Sequence, residues 1–201
     1  MTTGISKRSA QSLTTRTTDY LSFLSRAVQE ITSSTDYETT LDRVARAMIP
    51  HLSDWCGIDI ADDNGKLHRV TAAHKDPKML ALAVELGRKY PRASDASSGT
   101  PYVFKTGEPE MRNGIPDKLL VAAAINEEHL AMLRQLNFHS LLIVPLRSSG
   151  KVVGTLTLVW SETGKSYSLA DLAFAEILAA VAGSAIDNSQ LRKALGNRHG
   201  K

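Results

Sequence analysis

The chain has 201 residues, 42% of them hydrophobic and 22% charged, which suits one domain with arms and a sizeable buried core. Its formal net charge of +3 is unevenly spread: Lys7, Arg8 and Arg16 stand without an acid in residues 1–17, and Arg192, Lys193, Arg198 and Lys201 without one in residues 188–201. The body between them therefore carries about −4, which is no basic footprint for nucleic acid, and the single Cys56 excludes an intrachain disulfide and a multi-cysteine zinc site.

Residues 1–17, rich in Ser and Thr and without periodicity, are expected to be a disordered arm. No signal-peptide apolar region follows, and no uninterrupted apolar run approaches the ~20 residues of a membrane span, so the expected compartment is the cytoplasm. A helix is predicted from Thr18 or Asp19, with Leu21, Leu24, Val28 and Ile31 on one face; Ser33-Ser34 breaks it. Thr35 to Glu38 has the spacing of a capping box, and Leu41, Val44, Ala45, Met48 and Leu52 form the apolar face of a second helix.

Trp55 to Ala61 reads as a strand, Asp62-Asp63-Asn64-Gly65 as its turn, and Lys66 to His74 as the returning strand. On the first strand Cys56, Ile58 and Ile60 share one face, and Trp55, Gly57 and Asp59 the other. Asp59, an acid at mid-strand, admits two readings: a solvated carboxylate, or a group in a pocket. Pro77 to Tyr90 fits a helix with Leu80, Leu82, Val84 and Leu86 among its apolar positions, and 92–99 a small-residue loop. Thr100 to Lys105 suits a short helix stopped at Thr106-Gly107, Pro109 to Arg112 a short strand, and Leu119 to Ile125 a partial helix. Asn126 is a candidate N-cap for a helix that turns Leu130, Leu133 and Leu136 inward.

Ser140 to Leu146 is apolar on both faces and predicts a strand near the centre of a sheet. Ser148 to Lys151 is a turn, and the return strand places Val153, Thr155, Thr157 and Val159 on one face and Gly154, Leu156, Leu158 and Trp160 on the other. Ser168 can cap a long last helix. In it Ile177, Val181, Ser184, Asn188, Leu191 and Leu195 recur as an interrupted heptad seam, whose first half packing against the sheet would explain equally well.

The order helix, helix, hairpin, helical insert, hairpin, long helix carries five phrases: Asp54-Trp-Cys-Gly-Ile-Asp-Ile-Ala-Asp-Asp-Asn-Gly65, Val103-Phe-Lys-Thr-Gly-Glu-Pro109, Ser140-Leu-Leu-Ile-Val-Pro-Leu-Arg147, Gly150-Lys-Val-Val-Gly-Thr-Leu-Thr-Leu158 and Tyr167-Ser-Leu-Ala-Asp171. Each is weak alone; in this order they resemble a GAF domain, a PAS-related sensor module, over about residues 20–192. The version here is similar to GAF modules of bacterial sensor histidine kinases and of phosphatases that regulate sigma factors. The resemblance implies an α+β fold: a central antiparallel sheet of about six strands, the N- and C-terminal helices on one face, and the insert, roughly residues 75–137, roofing a pocket on the other. The chain divides accordingly into the arm 1–17, the sensor domain with flanking helices 18–192 and a basic tail 193–201.

Mapped onto this sequence, the resemblance makes Trp55, Gly57, Asp59, Leu141, Ile143, Thr155, Thr157 and Val159 the pocket-facing set; an empty pocket is the competing reading. Arg112 and His129 in the insert join as candidates, against a solvated loop charge and a polar cap or surface histidine. Bilin-binding relatives attach their chromophore through a Cys-His pair; here Glu128-His129 stands in its place, so no thioether can form there. Cyclic-nucleotide members carry Asn-Lys where this chain has Ser161-Glu162, which argues against cyclic GMP or AMP. The six histidines show no metal-ligand spacing; one imidazole, from His129 or His139, would suffice as a proximal haem ligand, but a polar cap or surface histidine is the stronger reading. Members that reduce free methionine sulfoxide exchange several thiols, and one cysteine cannot complete that cycle.

The expected function is a non-enzymatic sensor that binds a small molecule, or passes on a conformational signal, to a covalently linked output domain, as a homodimer through its terminal helices. The alternatives are a dimerisation or spacer module with an empty pocket, and a small thiol or hydrolytic enzyme using Asp59, His129 or Cys56.

Overall fold

The computed structural model describes Ser22, Ser25 and Gln29, residues 37–91 and residues 96–196, the last eight of these by backbone alone. The expected arm 1–17, the apolar positions Leu21, Leu24, Val28 and Ile31, Thr35 of the capping spacing and residues 197–201 of the basic tail lie outside the described residues, as do the side chains of Leu191 and Leu195.

Helix α1 (Tyr37–Ala47) leads into strands β1 (Trp55–Ala61) and β2 (Leu67–His74). The insert follows: helices α2 (Pro77–Lys89) and α3 (Thr100–Thr106), the short strand β3 (Glu110–Asn113), and helices α4 (Asp117–Ala123) and α5 (Glu127–Leu136). Strands β4 (Ser140–Ser148) and β5 (Lys151–Trp160) and the long helix α6 (Leu169–Gly196) complete the chain. Among the described residues the sheet has five strands, one fewer than the number implied by the resemblance, in the order β2-β1-β5-β4-β3. Every neighbouring pair is antiparallel. It is an open sheet with β5 at its centre.

Local chemistry explains most boundaries. Gly65 takes a φ of 77° in the β1–β2 turn, a region closed to most side chains. Gly107 does the same at the end of α3, where its N–H returns to the Val103 carbonyl. Asn126 caps α5 by accepting from the His129 N–H at 2.8 Å. Ser168 and Asp171 open α6 with a reciprocal box: the Asp171 carboxylate accepts from the Ser168 N–H and hydroxyl, and Ser168 Oγ accepts from the Asp171 N–H.

The sealed core lies on one face of the sheet. Leu41, Val44, Ala45 and Met48, on α1 and the turn after it, meet Phe174, Ala175, Leu178, Ala179, Ala182 and Ile186 of α6 over Cys56, Ile58, Leu142, Val144, Leu156 and Leu158. α6 is long and apolar enough between Leu169 and Asn188 to cross a membrane by composition, but its buried stripe is built into this core. Of the two readings left open for the first half of the seam, packing holds only in part: Val181 is half-buried against the core, whereas Ile177 is 47% exposed and Ser184 and Asn188 are exposed. The fully packed residues, Phe174, Ala175, Leu178, Ala179, Ala182 and Ile186, sit on the neighbouring stripe.

The insert is looser. No residue of α2 is buried, and Val84, assigned to its apolar face, is 54% exposed. On α5 the inward positions are His129, Met132, Leu133 and Leu136, so Leu130 is displaced by His129 and Met132 at helical spacing. α3 packs against β4 and β5 and buries Val103 completely.

Candidate functional site

Sheet register decides which side chains share the face away from the sealed core. Trp55 pairs with Val159, which pairs with Leu141, which pairs with Arg112. The next row is Gly57, Thr157, Ile143 and Glu110, and the third is Asp59, Thr155 and Pro145. Since side chains at paired positions project to the same side of a sheet, the eight strand residues assigned to a pocket lie together, and Arg112 stands at the outer end of their first row. His129 is elsewhere. Its ring stacks on Tyr90, with centroids 4.3 Å apart and planes within 10°, and its Nδ1 accepts from the Ile125 N–H. It ties α5 to the end of α2, and its contacts named here are within the insert.

Two residues absent from the sequence reading complete this face. Arg69 donates from Nε at 2.6 Å and from Nη2 at 2.9 Å to the two oxygens of Asp59, and its guanidinium lies 4.7 Å from the Trp55 ring centroid. A fork of this kind gives strong, oriented bonds and a cation–π contact adds to it. Asp59 is 6% exposed, so it is neither solvated nor free: its charge is matched by Arg69. Gly57 makes room for the pair, because a Cβ there would overlap Trp55 Cη2 and the Arg69 guanidinium. Alternation along β2 hides Arg69. The pairing slips between Ile58 and Asp59, so Asp59 faces Arg69 rather than Val70; this bulge turns Arg69 onto the polar side.

Glu110 is the other addition. One oxygen accepts from Arg112 Nε at 2.5 Å, the other from the Gly99 N–H at 2.6 Å. Its side chain is 10% exposed, and it anchors the start of α3 to β3. Each arginine on these rows is thus held by a carboxylate.

The neutral groups between them are not satisfied. Thr155 Oγ1, Thr157 Oγ1 and Trp55 Nε1 are buried without a hydrogen-bond partner among the described residues, the residues being 0%, 5% and 9% exposed. An unmet buried donor or acceptor costs roughly 1–3 kcal/mol; Ser53 Oγ and Tyr167 Oη, elsewhere in the domain, are in the same condition.

Cys56 lies on the opposite, sealed face and is fully buried. Burial pushes its thiol pKa up, with the Arg69 and Asp59 charges acting in opposite directions; a nucleophilic thiol needs the reverse. At the far end of β1, Asp54 is 1% exposed and accepts from Lys75 Nζ at 2.5 Å and from the Ser161 N–H and hydroxyl at 3.0 and 2.8 Å. Burial alone would raise its pKa, but these bonds outweigh it and hold the carboxyl below its ordinary value. No group of three metal-ligating side chains occurs among the described residues.

The β4–β5 turn is tied to α6. Asp187 accepts from the Ser148 hydroxyl, from the Ser149 N–H at 2.9 Å and from the Ser149 hydroxyl at 3.0 Å. One helical turn earlier, Gly183 lies so close to β4 that a Cβ would overlap the Arg147 carbonyl.

The architecture is shared widely. The chain is similar to the GAF domain of a phosphoenolpyruvate-protein phosphotransferase from Coxiella burnetii at 20% identity and a TM-score of 0.64, covering 87% of this chain and 96% of that one. It is similar to the GAF domain of a putative sensor histidine kinase from Pseudomonas syringae pv. tomato at 17% identity and a TM-score of 0.58, covering 95% and 97%. It also resembles free methionine-R-sulfoxide reductase from Neisseria meningitidis, solved with its substrate, at 15% identity and a TM-score of 0.61, covering 96% and 98%. No curated protein sequence matches the chain. The GAF domain family model matches residues 36–186, three-quarters of the chain, and with the five-stranded order and the helices on its sealed face this makes the chain a member of the GAF domain family.

Proposed function

We propose that this GAF domain is a sensory module in bacterial signal transduction, binding a small molecule between the insert and the face formed by Trp55, Gly57, Asp59, Leu141, Ile143, Thr155, Thr157 and Val159. The observation that carries the reading is the set of unpartnered buried groups, Thr155 Oγ1, Thr157 Oγ1 and Trp55 Nε1. The strand residues of the other face, Ile58, Leu142, Val144, Leu156 and Leu158, are by contrast apolar. Arg112 sits at the rim of this site, and His129 supports it indirectly by holding α5 against α2.

Occupancy alters function only if the ligand distinguishes two states of the protein. The path available is short: Thr155 and Thr157 lie on β5, β5 and β4 share the turn at Ser148-Ser149, and that turn bonds Asp187 of α6. In this reading the domain 18–192 works in the cytoplasm as a homodimer through its terminal helices, and α6 hands the signal to a covalently linked output domain. The likeness to a sulfoxide reductase concerns the fold; the buried Cys56 with its raised pKa speaks against a thiol enzyme.

Native mass spectrometry of freshly purified protein tests the reading. A co-purified small molecule that is lost in the T155V/T157V variant is the expected result. Protein of bare mass that also fails to bind any member of a metabolite library would favour the empty spacer.

A further inference from the structure

We infer that the ligand of this site is an uncharged polar molecule with an amide or carbonyl edge, not an anion such as a carboxylate or phosphate. The inference rests on the binding-site reading above and names the chemistry of its occupant. Two observations point the same way. Both cations on the three rows are already engaged, Arg69 by both oxygens of Asp59 and Arg112 by Glu110. The unpartnered buried groups on this face, in contrast, are neutral: one indole N–H and two hydroxyls.

An anion brought here would meet two arginines whose charges are already offset by Asp59 and Glu110. Displacing Arg69 from Asp59, whose side chain is 8% exposed, would leave that carboxylate uncompensated, and burying an unpaired charge is far more costly than burying a neutral polar group. Asp59 and Glu110 would also repel an incoming anion at close range. A neutral amide meets none of these penalties. Its carbonyl can accept from Trp55 Nε1–H, and its N–H can donate to a threonine oxygen, which in turn has a proton to give. Thr155 and Thr157, two residues apart on one face of β5, stand about 7 Å apart along the strand, close enough for one small ring to reach both. The cation over the Trp55 ring is held in place by Asp59 and so stiffens the indole, which presents its N–H in a fixed direction.

The test uses matched probes that differ in charge alone: benzamide against benzoate and nicotinamide against nicotinate, each titrated at pH 7. The readout is the Trp55 indole N–H resonance in a ¹H–¹⁵N spectrum, identified as the signal lost in W55F. The expected result is a saturable shift with the amides and at least about tenfold weaker binding of the carboxylates. T157V should abolish the amide shift, and T157S, which keeps the hydroxyl, should retain it; this pair separates a lost hydrogen bond from a misfolded variant. Carboxylates binding as tightly as the amides, or more so, would overturn the inference while leaving the binding site standing. No saturable shift from any of the four probes would overturn both the inference and the site on which it rests.

Discussion

Asp59 and Asp54 are both carboxylates at the edge of a hydrophobic interior, and each is held by a cation from the neighbouring segment. Asp54 carries the larger structural load, since Lys75 and both polar groups of Ser161 converge on it. Asp54→Asn keeps the shape but removes the charge and unbalances the donors, so it should lower stability by roughly 1–3 kcal/mol, measured by urea unfolding at pH 7. The pH dependence has a definite sign. Because the folded pKa of Asp54 is lowered, its contribution is fully present above the unfolded value of about 3.9 and is lost as pH falls through the folded value. Wild type and variant should therefore converge in stability as the pH is taken from 7 towards 3; a constant difference would refute the ion-pair account. The same scale shows what a sequence can disclose. Trp55, Gly57 and Asp59 fall on one face because β1 alternates without interruption. Arg69 was not legible, because a single bulge opposite Asp59 reverses the parity of β2 from that point, and nothing in Leu67 to His74 marks where it occurs.

Among the elements, α6 was half legible. Its start, capped by Ser168 and Asp171, and its length follow from residue type. The face it buries does not, because Leu172, Phe174, Ile177, Leu178, Val181 and Ile186 spread apolar side chains around the helix, and Gly183, which permits the close approach to β4, looks featureless in a hydrophobicity pattern. Gly183→Ala weighs two effects against each other. Helix propensity alone would favour alanine by about 1 kcal/mol. The new methyl, however, meets the Arg147 backbone carbonyl, which cannot rotate aside as a side chain could, so overpacking of roughly 1–3 kcal/mol should dominate. A lower midpoint in thermal unfolding, with no gain in helicity, is the expected outcome; a stabilised variant would mean that the helix can slide away at little cost. The insert helices were placed well by their caps and stops. Their burial was not, since α2 leans on β2 and α5 without a buried residue of its own.

The whole molecule is a sheet with two unlike faces, one sealed by α1 and α6 and the other bearing ion pairs and unmet neutral groups. The outer side of α6 retains Ile177, 47% exposed, beside Val181, which is half-buried against the core, and this is the surface proposed for the homodimer. Sedimentation equilibrium should give twice the 21.8 kDa chain mass, and Ile177→Glu should shift the protein towards monomer without changing its circular dichroism. A wild-type monomer at high concentration would remove the dimer from the proposal. The fastening of α6 then limits what kind of motion can leave the domain. Contact at Gly183 and the bonds at Asp187 hold the helix at two points one turn apart, on the side facing the hairpin. A rod gripped in this way cannot roll about its axis; it can pivot. The backbone from Asp187 to Gly196 extends about 13 Å past the grip, so a tilt of about 10° there displaces its end by roughly 2 Å. In the proposed signalling the hairpin turn would be the fulcrum of a short lever: the arm is about twice the ~6 Å between the two grips, so it would enlarge a shift of the turn about twofold.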